Sequence, residues 1–333
     1  MLTLGIETSC DDTAAAVLKD SGTLLSSVLS SQDQIHTRFG GVVPELASRK
    51  HLESISPIVD EALDRAGVTL KDIDLIAVTQ GPGLIGSLLV GFCYAKALSY
   101  VTKIPFVGID HMAGHLLAVF LEEDKPEFPY VALIVSGGTS SIYLARSHTS
   151  FSLLGRTRDD AAGEAFDKVA KLLGLSYPGG PLVSAESRAG NRAAIKFPRA
   201  WLEEESLDFS FSGLKTAVLN QCNQSRQKGI PLQIPDICAS FQEAIVDVLV
   251  EKTLLAARQH NIQTVVMGGG VSANPRLREA MSSRCQQEEK ALFVPRPSFC
   301  TDNGAMIALA GFYYSRTAAP GLYDQDVYSR SQL

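Results

Sequence analysis

Apolar and polar positions along the chain alternate between short runs and longer helical stripes. Residues 2–6 form a brief apolar run that reads as a strand, and the polar turn E-T-S-C-D-D-T follows at 7–13. Residues 14–18 return as a second strand, and residues 23–29, after the turn at 20–22, as a third. Beyond the Gly40-Gly41 turn, Pro44 suits a first helical position. Leu52, Ile55, Val59 and Leu63 then recur at helical spacing, in a stripe interrupted at Pro57 and closed by Gly67. Residues 73–79 are a strand, and G-P-G at 81–83 turns the chain into an apolar helix from Leu84. Residues 104–109 predict the next strand, which opens into a helical segment at 110–115.

The same opening pattern returns about half a chain later. Residues 131–135 read as a strand, S-G-G-T-S-S at 136–141 as a turn, 142–145 as a returning strand and 151–154 as a third. An internal repeat of this kind predicts two related α/β domains, 1–130 and 131–333, with the last helix, about 303–316, free to pack back on the first. Their glycine-rich hairpins would face each other, and a ligand with phosphates would sit in the cleft between them. Within the second half, Asp160, Glu164, Asp167 and Lys171 fall on one helical face, and the loop Y-P-G-G-P at 177–181 lies just beyond. Residues 208–216 form a small-residue turn that offers Lys215 as a phosphate or RNA contact. Residues 237–255 are an amphipathic core helix with Phe241, Ile245, Val248 and Leu255 inward. A strand at 264–267 ends in three glycines before a helix from Pro275, where Asn274 could bond a sugar or base edge. A last strand is expected at 292–295 and a last helix at 305–312.

Composition narrows the class. With 333 residues, 45% hydrophobic and 20% charged, the chain can bury two cores and has no disordered signature. A net charge of −6 argues against a nucleic-acid binder held by its own phosphate contacts, though not against a local basic groove or a partner that supplies one. The six cysteines are scattered with no C-x-x-C, which suits a reducing cytosol. Glu7 arrives too early for a signal peptide, and the apolar stretch 84–101, which carries Lys96 and two glycines, reads as a buried helix and not a membrane span. The expected setting is soluble and cytoplasmic.

The sharpest candidate chemistry is D-H-M-A-G-H at 110–115. His111 and His115 are four apart on a predicted helix, with Cβ atoms about 6 Å apart, and two neutral imidazoles so placed can share one divalent ion, Zn(II) or Fe(II). A strand end opening into a helix is where open α/β sheets place their sites. Asp302, just before the last helix, is the candidate third ligand; a helix N-cap is the commoner use of such an Asp, and the two roles are compatible.

Several blocks, in order, resemble the bacterial TsaD family: E-T-S-C-D at 7–11, G-G-V-V-P-E-L-A-S at 40–48, G-P-G at 81–83, H-x-x-x-H at 111–115, D-D-A-A-G-E-A-F-D-K at 159–168, Y-P-G-G-P at 177–181, F-S-F-S-G-L-K-T at 209–216, G-G-G-V-S-A-N at 268–274 and C-T-D-N-G at 300–304. The resemblance implies the two-domain actin-like, sugar-kinase and heat-shock chaperone ATPase (ASKHA) superfold, with duplicated domains and an interdomain cleft. It implies an acyltransferase that moves the threonylcarbamoyl group of threonylcarbamoyl-AMP to N6 of the adenosine just 3′ of the anticodon, in tRNAs reading codons that start with adenine. One divalent metal per subunit, Fe(II) with Zn(II) as the other candidate, would be held by His111, His115 and Asp302. Substrate contacts would fall on Ile134, Val135, Ser136, Gly137, Gly138, Asp167, Gly180 and Asn274. TsaB and TsaE would be protein partners. By inference from that chemistry, Asp11 or Asp12 is the nearest candidate base for the attacking amine.

The chain departs from the family twice. The family usually reads S-G-G-H-T after the second-domain strand where this chain has Thr139, so an imidazole near the donor is missing. The first turn ends C-D-D-T where the family has C-D-E-T, one methylene shorter at Asp12. Two rival readings are a metallopeptidase and a small-molecule kinase of the same superfold. The H-E-x-x-H peptidase motif needs a Glu beside its first histidine, and Met112 and Ala113 fill that gap here. A kinase would bind ATP with Mg(II) and have no use for a two-histidine site.

Overall fold

The computed structural model describes residues 1–203, 205–317 and 323–333. In chain order the strands and helices are β1 (Leu2–Glu7), β2 (Asp12–Lys19), β3 (Thr23–Ser31), α1 (Asp33–His36), α2 (Pro44–Ala66), β4 (Leu75–Gly81), α3 (Ile85–Thr102), β5 (Phe106–Asp110) and α4 (His111–Leu117). Then come β6 (Tyr130–Val135), β7 (Ser140–Ser147), β8 (Ser150–Arg156), α5 (Ala162–Leu172), α6 (Gly179–Ser187), α7 (Ser212–Gln227), α8 (Ile234–Gln259), β9 (Thr264–Gly268), α9 (Pro275–Gln287), β10 (Ala291–Phe293), α10 (Pro297–Cys300) and α11 (Gly304–Tyr314). Contacts divide the chain into two compact units. One comprises 1–126, 146–151 and 295–333, the other 127–145 and 152–294.

Each unit has a mixed five-stranded sheet, ordered β3-β2-β1-β4-β5 in the first and β10-β9-β6-β7-β8 in the second. The opening strand of each sheet is antiparallel to the next strand and parallel to a later one: β1 to β2 and β4, β6 to β7 and β9. The repeat read from the apolar runs is therefore a repeat of sheet topology.

Alternation along β1 decides what the first sheet presents on each face. Leu4 and Ile6 join Ile55, Val59 and Leu63 of α2 and Phe92 and Ala95 of α3 in one core. Gly5 points the other way, where a Cβ would stand 2.2 Å from the Gly304 carbonyl oxygen, so glycine is what lets α11 lie against the sheet. Glu7 shares that face and is fully buried. In the second unit, Leu133 and Val135 of β6 pack with Phe166 of α5, Phe241 and Ile245 of α8 and Met281 of α9.

Two expectations need correction. The first concerns α2, which runs unbroken through Pro57. That residue lies on the exposed side, where water can take over the hydrogen bond proline cannot make. The inward face of α2 also differs from the expected stripe: Leu52 is 67% exposed, and His51 is among the residues turned in. The second concerns Asp302, which does not cap the last helix; Asn303 does, its side chain accepting from the Met306 N–H at 2.9 Å. Helix α3 has the length and apolarity of a membrane span, and its buried residues Leu88, Phe92 and Ala95 pack inside the first unit.

Candidate metal centre and glycine-walled pocket

In the first unit, β5 delivers Asp110 to the start of α4, and its Oδ1 accepts from the Met112 N–H at 2.9 Å. His111 and His115 follow on one face, their rings 4.7 Å apart and perpendicular. Freed from capping, Asp302 turns to both: Oδ1 is 3.3 Å from His111 Nε2 and 3.1 Å from His115 Nε2. One ligand atom from each residue lies within 4.8 Å of the others.

Behind the pair stands a carboxylate that the sequence reading left in a polar turn. Glu7 Oε2 is 2.9 Å from His111 Nδ1, with Ser9 Oγ at 3.2 Å from the same nitrogen. Glu7 is itself held by the Thr79 hydroxyl and the Ser9 N–H, each donating at 2.5 Å. A carboxylate on the far nitrogen of a ligating imidazole fixes the tautomer, leaving Nε2 to face the metal. The signal that could have found Glu7 is its place in the period-2 alternation, on the face of Gly5.

The electrostatics favour positive charge where these side chains converge. Burial opposes charge on His111, yet Asp302 and Glu7 raise its pKa well above the ordinary histidine range. Burial likewise opposes charge on Asp302, but His111 and His115 bring it far below the ordinary carboxylate range. Glu7 is held low by His111 against its own burial. His115, whose Nδ1 is buried without a hydrogen-bond partner, is lowered by burial. Two imidazole nitrogens and one carboxylate oxygen that together draw a positive charge suit a divalent transition metal.

The turn after β1 carries the two candidate bases. Burial pushes both carboxyls up, Asp12 to about 7 with help from the charges on Asp11 and Asp302. Asp12 Oδ1 is buried and unpartnered. The turn is braced by His51, which sequence reasoning missed: its Nδ1 lies 2.8 Å from Thr13 Oγ1, and its Nε2–H meets the Cys10 carbonyl at 3.0 Å.

In the second unit a cavity of about 420 Å³ is walled by Gly137, Phe166, Asp167, Tyr177, Gly180 and Asn274, with Arg188 at its side. Four of the expected substrate residues line it: Gly137, Asp167, Gly180 and Asn274. The other four, Ile134, Val135, Ser136 and Gly138, do not, and Ile134 and Val135 are wholly buried in β6. Asp167 accepts from the Gly179 N–H at 2.7 Å and so fixes the second glycine loop. Asn274 is engaged by protein: Oδ1 caps α9 at Arg276 N (2.9 Å), and Nδ2 donates to Gln242 Oε1 at 2.7 Å. The charged stretch at 159–168 is partly structural. Asp159 clamps the start of α7 through Ser210 Oγ, Phe211 N and Ser212, while Lys168 pairs with Asp160 and Glu164.

Comparison with known proteins adds to this geometry. A family profile described as TsaD, tRNA N6-adenosine threonylcarbamoyltransferase, matches residues 23–309. A protein of that name from Desulfotalea psychrophila is 61% identical over all of this chain and 98% of its own. Another from Syntrophus aciditrophicus is 54% identical over 93% of this chain and 91% of its own. Among solved structures, full-length HypF in its phosphate- and nucleotide-bound form aligns with a TM-score of 0.63 at 14% identity, over 96% of this chain and 47% of that one. The Clostridium difficile activator of 2-hydroxyisocaproyl-CoA dehydratase aligns with a TM-score of 0.54 at 15% identity, over 95% and 96%. At such identities these structures show the shared ASKHA architecture alone.

Proposed function

This chain belongs to the TsaD family, the tRNA N6-adenosine threonylcarbamoyltransferases, and we propose from that premise which of its residues do the work. His111, His115 and Asp302 hold one divalent ion per subunit, Fe(II) ahead of Zn(II). The convergence of their donor atoms on one point, with Glu7 behind His111, is the observation that carries this reading. The donor is threonylcarbamoyl-AMP, its nucleotide resting on the cavity of Gly137, Asp167, Gly180 and Asn274, with the exposed turn at Gly137 and Gly138 beside it. The acceptor is the adenosine just 3′ of the anticodon. TsaB and TsaE are the partners and the cytoplasm the setting, as the motif blocks suggest.

The donor is a mixed anhydride and already reactive, so positioning and charge stabilisation are the main tasks. The adenosine N6 attacks the carbamoyl carbon, a new C–N bond forms, and the bond to the phosphate oxygen breaks with its electrons leaving on AMP. When bound, the metal supplies a Lewis acid for that negative charge. The amine must also lose a proton. Asp12, whose carboxyl is pushed up by burial and whose Oδ1 has no hydrogen-bond partner, is suited to take it, with Asp11 the neighbouring alternative. The exposed glycines at 137 and 138 leave backbone N–H groups open to a phosphate.

The test is reconstitution: the full chain with TsaB, TsaE, threonylcarbamoyl-AMP and unmodified tRNA, digested and read by mass spectrometry for the threonylcarbamoylated nucleoside. Product that depends on this chain and is lost in Asp302→Ala supports the assignment. Undiminished product from Asp302→Ala would remove the proposed metal centre from the reaction.

A further inference from the structure

We infer that the segment 323–333 positions the metal-bearing helix, acting through Asp110, and that Asp110, Tyr328 and Ser331 are positioning residues of the metal centre. The inference rests on the assignment of His111, His115 and Asp302 as ligands. Asp110 is 7% exposed and directly precedes His111. Its two oxygens have separate duties. Oδ1 caps the first turn of α4, while Oδ2 accepts from the Tyr328 hydroxyl at 3.1 Å, Ser331 Oγ at 2.9 Å and the Gln332 N–H at 3.2 Å. A buried carboxylate needs such donors, and here those on Oδ2 come from one stretch more than 200 residues away in sequence.

That stretch is anchored independently of Asp110. The Tyr328 N–H donates to the Gln80 carbonyl at 3.1 Å, and Gln80 Nε2 returns a bond to the Asp326 carbonyl at 2.7 Å. Lys96 Nζ donates to the Gln325 carbonyl, and the Tyr323 hydroxyl lies 3.0 Å from Ser99 Oγ. The Tyr323 ring rests 5.6 Å from that of Phe106 at the start of β5. Where the segment crosses the end of β4 there is no room for a side chain: a Cβ on Gly81 would stand 2.2 Å from the Tyr328 carbonyl oxygen. The segment thus grips β4, α3 and β5 and presents three donors to the residue that sets the first turn of α4. Metal sites tolerate ligand displacements of only about 0.5 Å. Without the donors, the Oδ2 of a buried carboxylate must seek water or another partner, and the pull is transmitted to the neighbouring His111. The two hydroxyls add little to the apolar core, so their loss should show in metal affinity before it shows in folding.

The test compares Zn(II) affinity, by chelator competition, with the melting temperature of the metal-free protein. The full-length chain is measured as wild type, as the double variant Tyr328→Phe with Ser331→Ala, as Ser331→Thr and as His115→Ala. The expected result is Zn(II) bound about tenfold more weakly by the double variant, a metal-free melting temperature close to wild type, and near-normal affinity in Ser331→Thr, which keeps the hydroxyl. Unchanged affinity in the double variant, with binding abolished in His115→Ala, would overturn the positioning role and leave the metal centre standing. A lowered melting temperature with unchanged affinity would also overturn it, as the mark of a purely structural strap. If His115→Ala binds Zn(II) like wild type, the ligand assignment falls and the inference with it.

Discussion

Strands β1 and β6 occupy the same place in two sheets of one topology, yet they end in opposite chemistry. β1 closes on Glu7, fully buried, and the turn beyond it brings Ser9 to His111 and the charges of Asp11 and Asp12 within reach of Asp302. β6 is apolar and buried throughout and closes on Ser136-Gly137-Gly138, a turn held by the Ser136 N–H to the Thr139 carbonyl at 2.8 Å, with its glycines exposed. One strand end invests in side chains that draw a cation, the other in bare backbone that can meet an anion. A duplicated scaffold can hold both because the sheet fixes only where the strand ends. What stands there is set by a few residues.

The largest effects should come from the cation-seeking end. His111→Ala, His115→Ala and Asp302→Ala should each lose bound metal and about 10³-fold in transfer rate while keeping the fold, since each removes a donor from a set of three. Elemental analysis of the purified variants checks this; full occupancy in any one would strike that residue from the ligand set.

The anion-seeking end should break through backbone instead. Gly269 has φ +83° and ψ 156°, a region nearly closed to other residues, and a Cβ there would stand 2.4 Å from the Val135 carbonyl oxygen. Gly269→Ala should therefore destabilise the protein by about 2–4 kcal/mol. Gly138→Ala, where a Cβ meets open space, should stay within about 0.5 kcal/mol. Urea midpoints of the two variants measure the contrast; equal midpoints would show that the close approach of 269 to β6 can relax.

The difference between the two ends also explains what could be read from the sequence. The His111–His115 pair was legible because helical spacing alone puts four-apart residues on one face, and the glycine turns because their composition admits little else. Asp302 was legible as a candidate third member of the histidine cluster, but not which of Asp302 and Asn303 caps the last helix, since both residue types are good N-caps and only packing decides between them. Glu7 was hidden because a carboxylate at the end of an apolar strand looks like the first residue of the polar loop. His51 was hidden because Leu52, one position on, completes an apolar stripe that α2 does not use. The segment 323–333 has no periodicity, and its partners lie on distant elements, so its role depends wholly on tertiary structure.

A smaller effect should separate Asp12 from the carboxylates around it. Its native carboxyl is pushed up to about 7, against about 3.9 in an unfolded chain. Between those values the native state holds a proton that the unfolded state has released, so stability falls as pH climbs from about 4 to about 7. Asp12→Asn has no such proton to lose. In chelator-treated protein the variant and wild type should be similarly stable near pH 4, with the variant ahead by on the order of 4 kcal/mol at pH 8. Parallel stability–pH curves from denaturant melts would show that Asp12 is not the strained group that its surroundings indicate.

The mildest change expected is at the turn after β6, where this chain has Thr139 in place of the family's histidine. The Thr139 N–H donates to Ser136 Oγ at 3.2 Å and its carbonyl closes the turn, so the loop is shaped by main chain and by Ser136, with no need of an imidazole. If that histidine serves only to hold phosphate, its loss exchanges a charge-assisted hydrogen bond for a neutral one or none. Such an exchange is worth about 1 kcal/mol, roughly a fivefold effect. Thr139→His should then raise kcat/KM for transfer by about fivefold at most, or leave it unchanged, with bound metal unaltered. Initial rates in the reconstituted reaction decide the matter. A gain of several hundredfold would mean that the turn after β6 had carried a catalytic side chain which this protein lacks, and the contrast between a side-chain end and a backbone end would no longer describe it.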